Sequence, residues 1–186
     1  MSDILGISFA RTFAPLMSTR RPPRSAMHGL SVARTDFGGW PVYTLQKAAP
    51  IGTAVVAIHG GGFTVEATRL HWHDYADIAR HTGATVVVPI YPLIPRGNAA
   101  NVVPQLADLI SSVTDRSETK HIGVYGDSAG ATLALAATQE LVRRGRRVPD
   151  SVVLISPWLD LSLSNPDCEG VPDPVLGLDE LRQSGR

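Results

Sequence analysis

The stretch VYGDSAG, residues 124–130, closes one apolar run and opens an alanine-rich one. The segment before Ser128, HIGVYGD, is short, mainly apolar and contains β-branched and aromatic side chains, which is typical of a buried strand. The residues after it have helical spacing up to Arg144, and Gly145 follows as a helix-stop signal. The stretch therefore predicts a strand that turns sharply into a helix.

The same alternation of strand and helix repeats along the chain. Short segments rich in Val and Ile and bounded by Gly, Pro or Asp predict strands at residues 40–46, 53–60, 84–91, 121–128 and 151–158. Helical spacing between them predicts helices at 70–81, 99–113 and 129–144. The last four strands are nearly continuous apolar runs, as in a parallel sheet covered on both faces. The expected fold class is α/β, with helices on both faces of a mostly parallel sheet.

The length and the net charge of the chain limit the classes of protein to which it can belong. With 186 residues and 44% apolar positions, the chain is long enough for one domain or most of one. Its 17 basic residues balance 17 acidic residues, so it lacks the electrostatic signature of a nucleic-acid binder or a polybasic membrane protein. The arginine cluster at residues 143–147 suits the end of a helix. A small neutral or apolar ligand is expected, with no nucleic acid.

The single cysteine and the N-terminal segment bear on location. Cys168 has no partner for an internal disulfide, which favours a reducing compartment and predicts a cytoplasmic protein. No apolar run approaches the roughly 18 residues that span a bilayer, and the first residues do not match a secretory signal. An amphipathic N-terminal helix is expected to pack on the domain, with peripheral contact to a lipid surface as the alternative.

Residues 126–130 fit the pattern G-x-S-x-G in the context that gives it meaning, with a strand before and a helix after. Gly126 and Gly130 allow a tight turn that holds Ser128 in a strained backbone with its hydroxyl exposed. The hydroxyl and the Ala129 N–H would face the positive end of the helix dipole. This predicts a nucleophilic serine. The structural alternative is a serine that caps the helix.

A second motif, HGGGF at residues 59–63, follows the predicted strand at 53–60. Consecutive glycines leave backbone N–H groups unshielded, and two of them beside the Ala129 N–H can bind the oxygen of a tetrahedral intermediate. The alternative is a flexible glycine loop. Both motifs lie at carboxyl ends of strands, where open α/β sheets place their sites. The neighbouring aromatic residues, Phe63, Trp72 and Trp158, are expected to line either an acyl pocket or the core.

HGGGF, YPLIP at 91–95, GDSAG at 126–130 and SPWLDLS at 156–162, in this order, resemble the hormone-sensitive-lipase-like family of α/β-hydrolase carboxylesterases. The resemblance runs from about residue 40 to the end. It implies an α/β-hydrolase fold, with residues 1–35 as a cap segment and 36–186 as the core. It also implies a serine esterase that uses an acyl-serine intermediate on small to medium acyl esters and needs no metal or organic cofactor.

The same resemblance assigns roles to residues. Ser128 would be the nucleophile, and the N–H groups of Gly61, Gly62 and Ala129 would form the oxyanion hole. The other motif positions support these groups, and they are His59, Gly60, Gly126, Asp127 and Gly130.

The histidines do not supply an obvious general base. All six precede Ser128, whereas this family places its acid and then its histidine after the serine. His59 is interpreted as a local hydrogen-bonding residue. His71 and His73 lie at i and i+2, which do not share a helix face, so no metal pair is expected. His81 is interpreted as an ordinary residue near a helix C-terminus, where a partial positive charge is favourable, and His28 and His121 are interpreted as surface residues.

The carboxylates after Ser128 match other family elements. Asp160 belongs to a structural, pocket-lining segment, and Asp173 and Asp179 match a polar loop and the helix start that follows it. We therefore interpret the chain as the N-terminal portion of an esterase, without the C-terminal strands and the rest of the triad. The strand at 151–158 would then be an edge that promotes self-association. Two alternatives stay open: a catalytically inert, hydrolase-like binding protein, and a fragment without function.

Overall fold

A computed structural model describes residues 18–173 and 176–185. This part of the chain has six strands and four α-helices: the first two strands form an N-terminal hairpin, and the other four alternate with helices. The strands are Ser31–Phe37 (β1), Trp40–Gln46 (β2), Thr53–Ile58 (β3), Thr85–Pro89 (β4), His121–Asp127 (β5) and Ser151–Ile155 (β6). The helices are Arg69–Thr82 (α1), Ala99–Thr114 (α2), Ala129–Arg143 (α3) and Leu178–Ser184 (α4), with short 3₁₀ turns at Arg24–Ala26 and Pro166–Gly170.

The strands form one sheet in the order β1-β2-β4-β3-β5-β6. β1 pairs antiparallel with β2, and β2 pairs antiparallel with β4. β4, β3, β5 and β6 are parallel to one another, which confirms the mostly parallel sheet. Ile58 lies opposite Gly126 in the register of β3 and β5. The segments that follow these two strands therefore leave the sheet side by side.

β1 is the strand that the sequence did not predict. Its sequence, SVARTDF, has no apolar run, and six of its seven residues are exposed because it lies at the sheet edge. A turn at Gly38 and Gly39 joins it to β2. The expected boundary between residues 35 and 36 falls inside β1. The assignment of residues 1–35 to a cap stays a prediction, and residues 1–17 lie outside the described part.

Helices cover both faces of the sheet, as predicted. Successive strand residues point to opposite faces. On β4, Val86 and Val88 pack in a cluster with Trp72 and Tyr75 of α1, whereas Val87 packs in a second cluster with residues of α2 and α3. The alternation explains why β3 and β4 read as continuous apolar runs, since both of their faces are buried.

Local signals place the ends of α1. Thr68 is the N-cap, and its side chain and that of His71 form a reciprocal capping box with the two backbone N–H groups. Gly83 ends the helix in the left-handed region at φ 76°, where glycine avoids the Cβ penalty. The helix therefore extends one residue beyond each end of the predicted range, 70–81.

β6 is less buried than its apolar sequence predicts. Val153 and Ile155 are each 46% exposed, whereas Val56 of β3 and Val87 of β4 are fully buried. The reason is that β6 pairs with β5 along one edge and, within the described residues, with no strand along the other.

Candidate active site

Ser128 lies in the turn between β5 and α3. Its backbone has φ 49° and ψ −121°, a conformation that costs a residue with a side chain about 1–3 kcal/mol. The Ser128 N–H donates to the carbonyl of Ile155, the last residue of β6, at 2.9 Å. The Ser128 side chain makes no helix-capping hydrogen bond. A capping serine has extended backbone angles and bonds the first helical turn, so the capping alternative does not describe Ser128.

Close packing explains the glycines on either side of Ser128. A Cβ at Gly126 would lie 2.6 Å from the Gly130 carbonyl oxygen, and a Cβ at Gly130 would lie 2.5 Å from the His59 carbonyl oxygen. Both distances are shorter than van der Waals contact. The first turn of α3 therefore packs directly on the end of β3, which brings the two sequence motifs together.

The glycine motif forms a hydrogen-bonded turn after β3. The N–H groups of Thr64 and Val65 both donate to the Gly61 carbonyl, at 3.0 and 2.9 Å. Farther along the turn, Ile94 N–H donates to the Phe63 carbonyl at 3.0 Å. Gly61 has φ 114°, a value that favours glycine. Gly61 and Gly62 are both partly exposed, so this turn has a solvent-facing backbone beside the Ser128 turn.

Asp127 connects the two turns. Its Oδ1 accepts the Gly60 N–H at 3.0 Å, and its Oδ2 lies 3.2 Å from His71 Nε2. Burial acts to raise the pKa of the Asp127 carboxyl, but the His71 and Gly60 hydrogen bonds outweigh it and hold that pKa below its ordinary value. Asp127 is therefore a carboxylate that accepts hydrogen bonds from the loop after β3 and from α1.

His59 is fully buried and serves local structure, as the sequence interpretation expected. Its Nδ1 donates to the Gly60 carbonyl at 2.7 Å, because a carbonyl can only accept. Its ring stacks on Tyr91 at a centroid distance of 4.4 Å, and the Tyr91 hydroxyl donates to the His59 carbonyl at 2.7 Å. Burial lowers the pKa of His59 to about 4. The imidazole is therefore neutral near pH 7.

The remaining histidine and aspartate side chains near the site bond groups other than the Ser128 hydroxyl in the described part of the chain. In the described part of the chain, no histidine is hydrogen-bonded to the Ser128 hydroxyl; His59 and His71 bond Gly60 and Asp127. Asp160 accepts hydrogen bonds from Ser162 and Ser164, which lower its pKa to about 2 and hold the loop after β6. No group of three His, Cys, Asp or Glu side chains among the described residues is arranged to hold a metal ion.

An apolar cavity of about 420 Å³ lies beside the first turns of α3. Phe63, Tyr91, Val102 and Leu133 contribute apolar parts of its wall. Phe63 also stacks on Trp158, with ring centroids 5.7 Å apart. Of the aromatic residues near the motifs, Phe63 thus lines the cavity. Trp72 is a fully buried core residue of α1, and the sequence left this choice open.

His71 is the site residue that sequence reasoning missed. The sequence analysis treats His71 only together with His73, as an unlikely metal pair, and the structure places His73 on the exposed part of α1. The available signal was the spacing T-x-x-H at the start of a helix, which resembles a capping box. That signal predicts the bond to Thr68 but not the bond to Asp127, which lies 56 residues away in sequence.

Comparison with known proteins agrees with this architecture. A protein family described by the alpha/beta hydrolase fold matches residues 55–183, which include both glycine motifs. The chain therefore belongs to the α/β-hydrolase fold family. This confirms the fold class inferred from the strand and helix pattern and from the motifs.

Individual relatives have esterase and lipase names. A triacylglycerol lipase of Mycobacterium tuberculosis is 46% identical over 141 residues, a match that covers 75% of this chain and 32% of the lipase. Carboxyl esterase 2 from Tuber melanosporum superposes with a TM-score of 0.78 at 20% identity, over 90% of this chain and 58% of that structure. An esterase from the bacterial hormone-sensitive lipase family gives a TM-score of 0.74 at 22% identity, over 85% and 55%. The matched part of the chain spans about a third to a half of the length of this lipase and of two other curated relatives, an acetyl-hydrolase and an esterase.

Proposed function

We propose that this chain carries the nucleophile and the oxyanion-binding loop of a carboxylic-ester hydrolase for small to medium acyl esters. The observation that carries the proposal is the backbone of Ser128, at φ 49° and ψ −121° without a capping bond. Strain of this kind persists only where the surrounding structure imposes it, and it is concentrated at functional sites. The lipase and esterase names of the relatives support esters as the substrate class.

In the proposed reaction the Ser128 Oγ forms a bond to the ester carbonyl carbon. The bond from that carbon to the alcohol oxygen breaks, and the alcohol leaves with the proton that Ser128 gives up. Water then hydrolyses the acyl-serine and restores the hydroxyl. The N–H groups of Gly61, Gly62 and Ala129 are proposed to bind the carbonyl oxygen while it carries negative charge. Ala129 begins α3, so the positive end of the helix dipole adds to this stabilisation.

The cavity beside α3 supports an acyl group of limited size. Its volume, about 420 Å³, lies in the lower part of the range for small-molecule sites. The balanced charge of the chain supports a neutral substrate and gives no support to a nucleic-acid partner. In the arginine cluster, Arg143 and Arg144 both bond Glu140, and Arg144 also bonds Asp108, so these two charges are already paired.

Covalent labelling tests the assignment of Ser128. The chain is treated with a p-nitrophenyl alkylphosphonate, and intact mass and peptide mapping locate the adduct. We expect one adduct on Ser128, none in S128A, and an unchanged adduct in S117A, which removes an exposed hydroxyl elsewhere. An adduct on another serine would refute the role of Ser128. Saturable binding of the phosphonate without an adduct would favour the inert binding protein, and neither binding nor labelling would favour the fragment without function.

Two further proposals concern location and association. The helices among residues 18–173 and 176–185 lack the combination of length and hydrophobicity that a membrane span requires. A cytoplasmic location is proposed from the single cysteine, and the lipid contact proposed for the N-terminal segment falls mainly on residues 1–17, outside the described part. We also propose that two copies of the chain associate through β6, where Val152, Val153 and Ile155 are 36–46% exposed and where one strand edge pairs with no other strand of the described part.

A further inference from the structure

One hydrogen bond directly links the turns that carry the proposed nucleophile and oxyanion groups. Gly60 immediately precedes Gly61, and Asp127 immediately precedes Ser128. The hydrogen bond from the Gly60 N–H to Asp127 Oδ1, at 3.0 Å, joins these two positions across 67 residues of sequence. Glycines have no side chains with which to fix a loop by packing. The relative position of the two turns therefore depends strongly on where the Asp127 carboxylate is held.

The carboxylate is held on its other oxygen by His71. The backbone N–H of Thr68 donates to His71 Nδ1 at 2.9 Å, so Nδ1 is the acceptor. The ring proton is consequently on Nε2, which donates to Asp127 Oδ2 at 3.2 Å. His71 is thus fixed at both ring nitrogens, by the N-cap of α1 on one side and by the carboxylate on the other. Its side chain is 17% exposed, so little of this bond is open to competing water.

The start of α1 is itself anchored. The Trp72 indole N–H donates to the Thr19 carbonyl at 2.8 Å, and the Thr19 N–H donates to the Ala67 carbonyl at 2.6 Å. Trp72 is fully buried. A rigid helix end therefore presents His71 to Asp127, and the resulting chain of bonds runs from α1 through the carboxylate to Gly60.

We infer that His71 is a positioning residue, which orients the Asp127 carboxylate and through it sets the glycine loop against Ser128. This inference rests on the proposed function for its effect on catalysis, but the chain of hydrogen bonds has a structural readout of its own. Loss of the His71 donor leaves Oδ2 without its protein partner and frees the carboxylate to rotate away from Gly60. A displacement of about 1 Å in such a site can lower a rate about 100-fold.

Four chains test the inference: unaltered, H71L, H71Q and H73L. H71L removes the donor, H71Q restores a side-chain N–H at a similar distance, and H73L makes the same change on the exposed part of α1. Amide hydrogen exchange is measured at Gly60, with Val56 of β3 as the internal reference for global opening. We expect exchange at Gly60 in H71L to accelerate about tenfold or more without change at Val56, partial recovery in H71Q, and no effect in H73L.

The rate of phosphonate labelling at Ser128 is measured on the same chains. We expect it to fall about tenfold or more in H71L, with unchanged half-saturating phosphonate concentration, and to recover partly in H71Q. If Gly60 exchange and labelling in H71L equal those of the unaltered chain, the positioning role is refuted while the proposed function stands. If the unaltered chain is not labelled at Ser128, the proposed function fails, and Gly60 exchange alone then decides whether His71 holds the loop.

Discussion

Replacement of His59 by Asn is expected to reduce the acid sensitivity of the fold. Burial lowers the pKa of His59 from 6.5 to about 4. A histidine whose pKa is lower in the folded than in the unfolded state binds protons preferentially when the chain is unfolded. Its neutral form thus supports full stability above pH 6.5, and that contribution is lost as the pH falls towards 4.

The size of the effect follows from the same two pKa values. One pKa unit corresponds to about 1.4 kcal/mol, so the free energy of unfolding should lose about 2 kcal/mol through His59 between pH 7 and pH 5. The loss should reach about 3 kcal/mol near pH 4 and then level off. In H59N the amide can still donate to the Gly60 carbonyl, but it has no titrating group. The variant also loses ring packing against Tyr91, which lowers stability at every pH.

Urea denaturation at pH 7 and pH 5 separates these effects, because the packing loss is the same at both pH values. We expect the free energy of unfolding to fall by about 2 kcal/mol less in H59N than in the unaltered chain over this interval. H73N is the control for removal of an exposed histidine. An NMR titration of the ring resonances checks the cause directly. Equal pH dependence in H59N and the unaltered chain, or titration of His59 near pH 6.5, would refute the reasoning.

Three other predictions test the backbone of the site and the sheet edge. S128G should be about 1 kcal/mol more stable than S128A in urea denaturation. Both variants lack the hydroxyl, but only glycine relieves the backbone strain at φ 49°. Equal stability of the two variants would contradict that strain. G130A should lower the free energy of unfolding by about 2 kcal/mol or more, because its Cβ would overlap with the end of β3. G170A is the control, since its Cβ would meet no atom within 4 Å, and it should change the free energy of unfolding little. Similar losses in the two variants would count against the close packing. V153K should shift the chain towards monomer in size-exclusion chromatography with light scattering, and V32K on the opposite edge strand should not. A chain that is already monomeric, or equal effects of both changes, would rule out association through β6.

Much of the fold was predictable because the sequence patterns that indicate strands and helices are local. Strands β2 to β6 and helices α1 to α3 were recognised from apolar runs and helical spacing, and their observed ends agree within a few residues. A strand buried on both faces needs apolar side chains at nearly every position, and this requirement is visible without knowledge of the neighbouring strands. β1 escaped recognition because an exposed edge strand has no such requirement.

The tight turn at Ser128 was predictable for the same reason. Gly126, Ser128 and Gly130 lie within five consecutive residues, so a short sequence motif predicts the turn that they form. The contacts that require glycine at position 130 are with the carbonyls of Ile58 and His59, at the end of the neighbouring strand β3. The motif therefore predicted a tight turn with glycines at these two positions, and the structure shows the packing that requires them.

The sequence alone determined the succession of β2 to β6 with α1 to α3, the sharp turn at Ser128 and the presence of a glycine-rich loop, because each depends on residues close together along the chain. Only the tertiary structure decided that His71 bonds Asp127, that Asp127 bonds Gly60, and that His59 is buried against Tyr91. Those contacts join residues 32 to 67 positions apart in sequence. A histidine can be a surface residue, a buried neutral ring or the partner of a carboxylate. Which of these it is depends on the strands and helices that pack beside it, and local sequence patterns do not predict that packing.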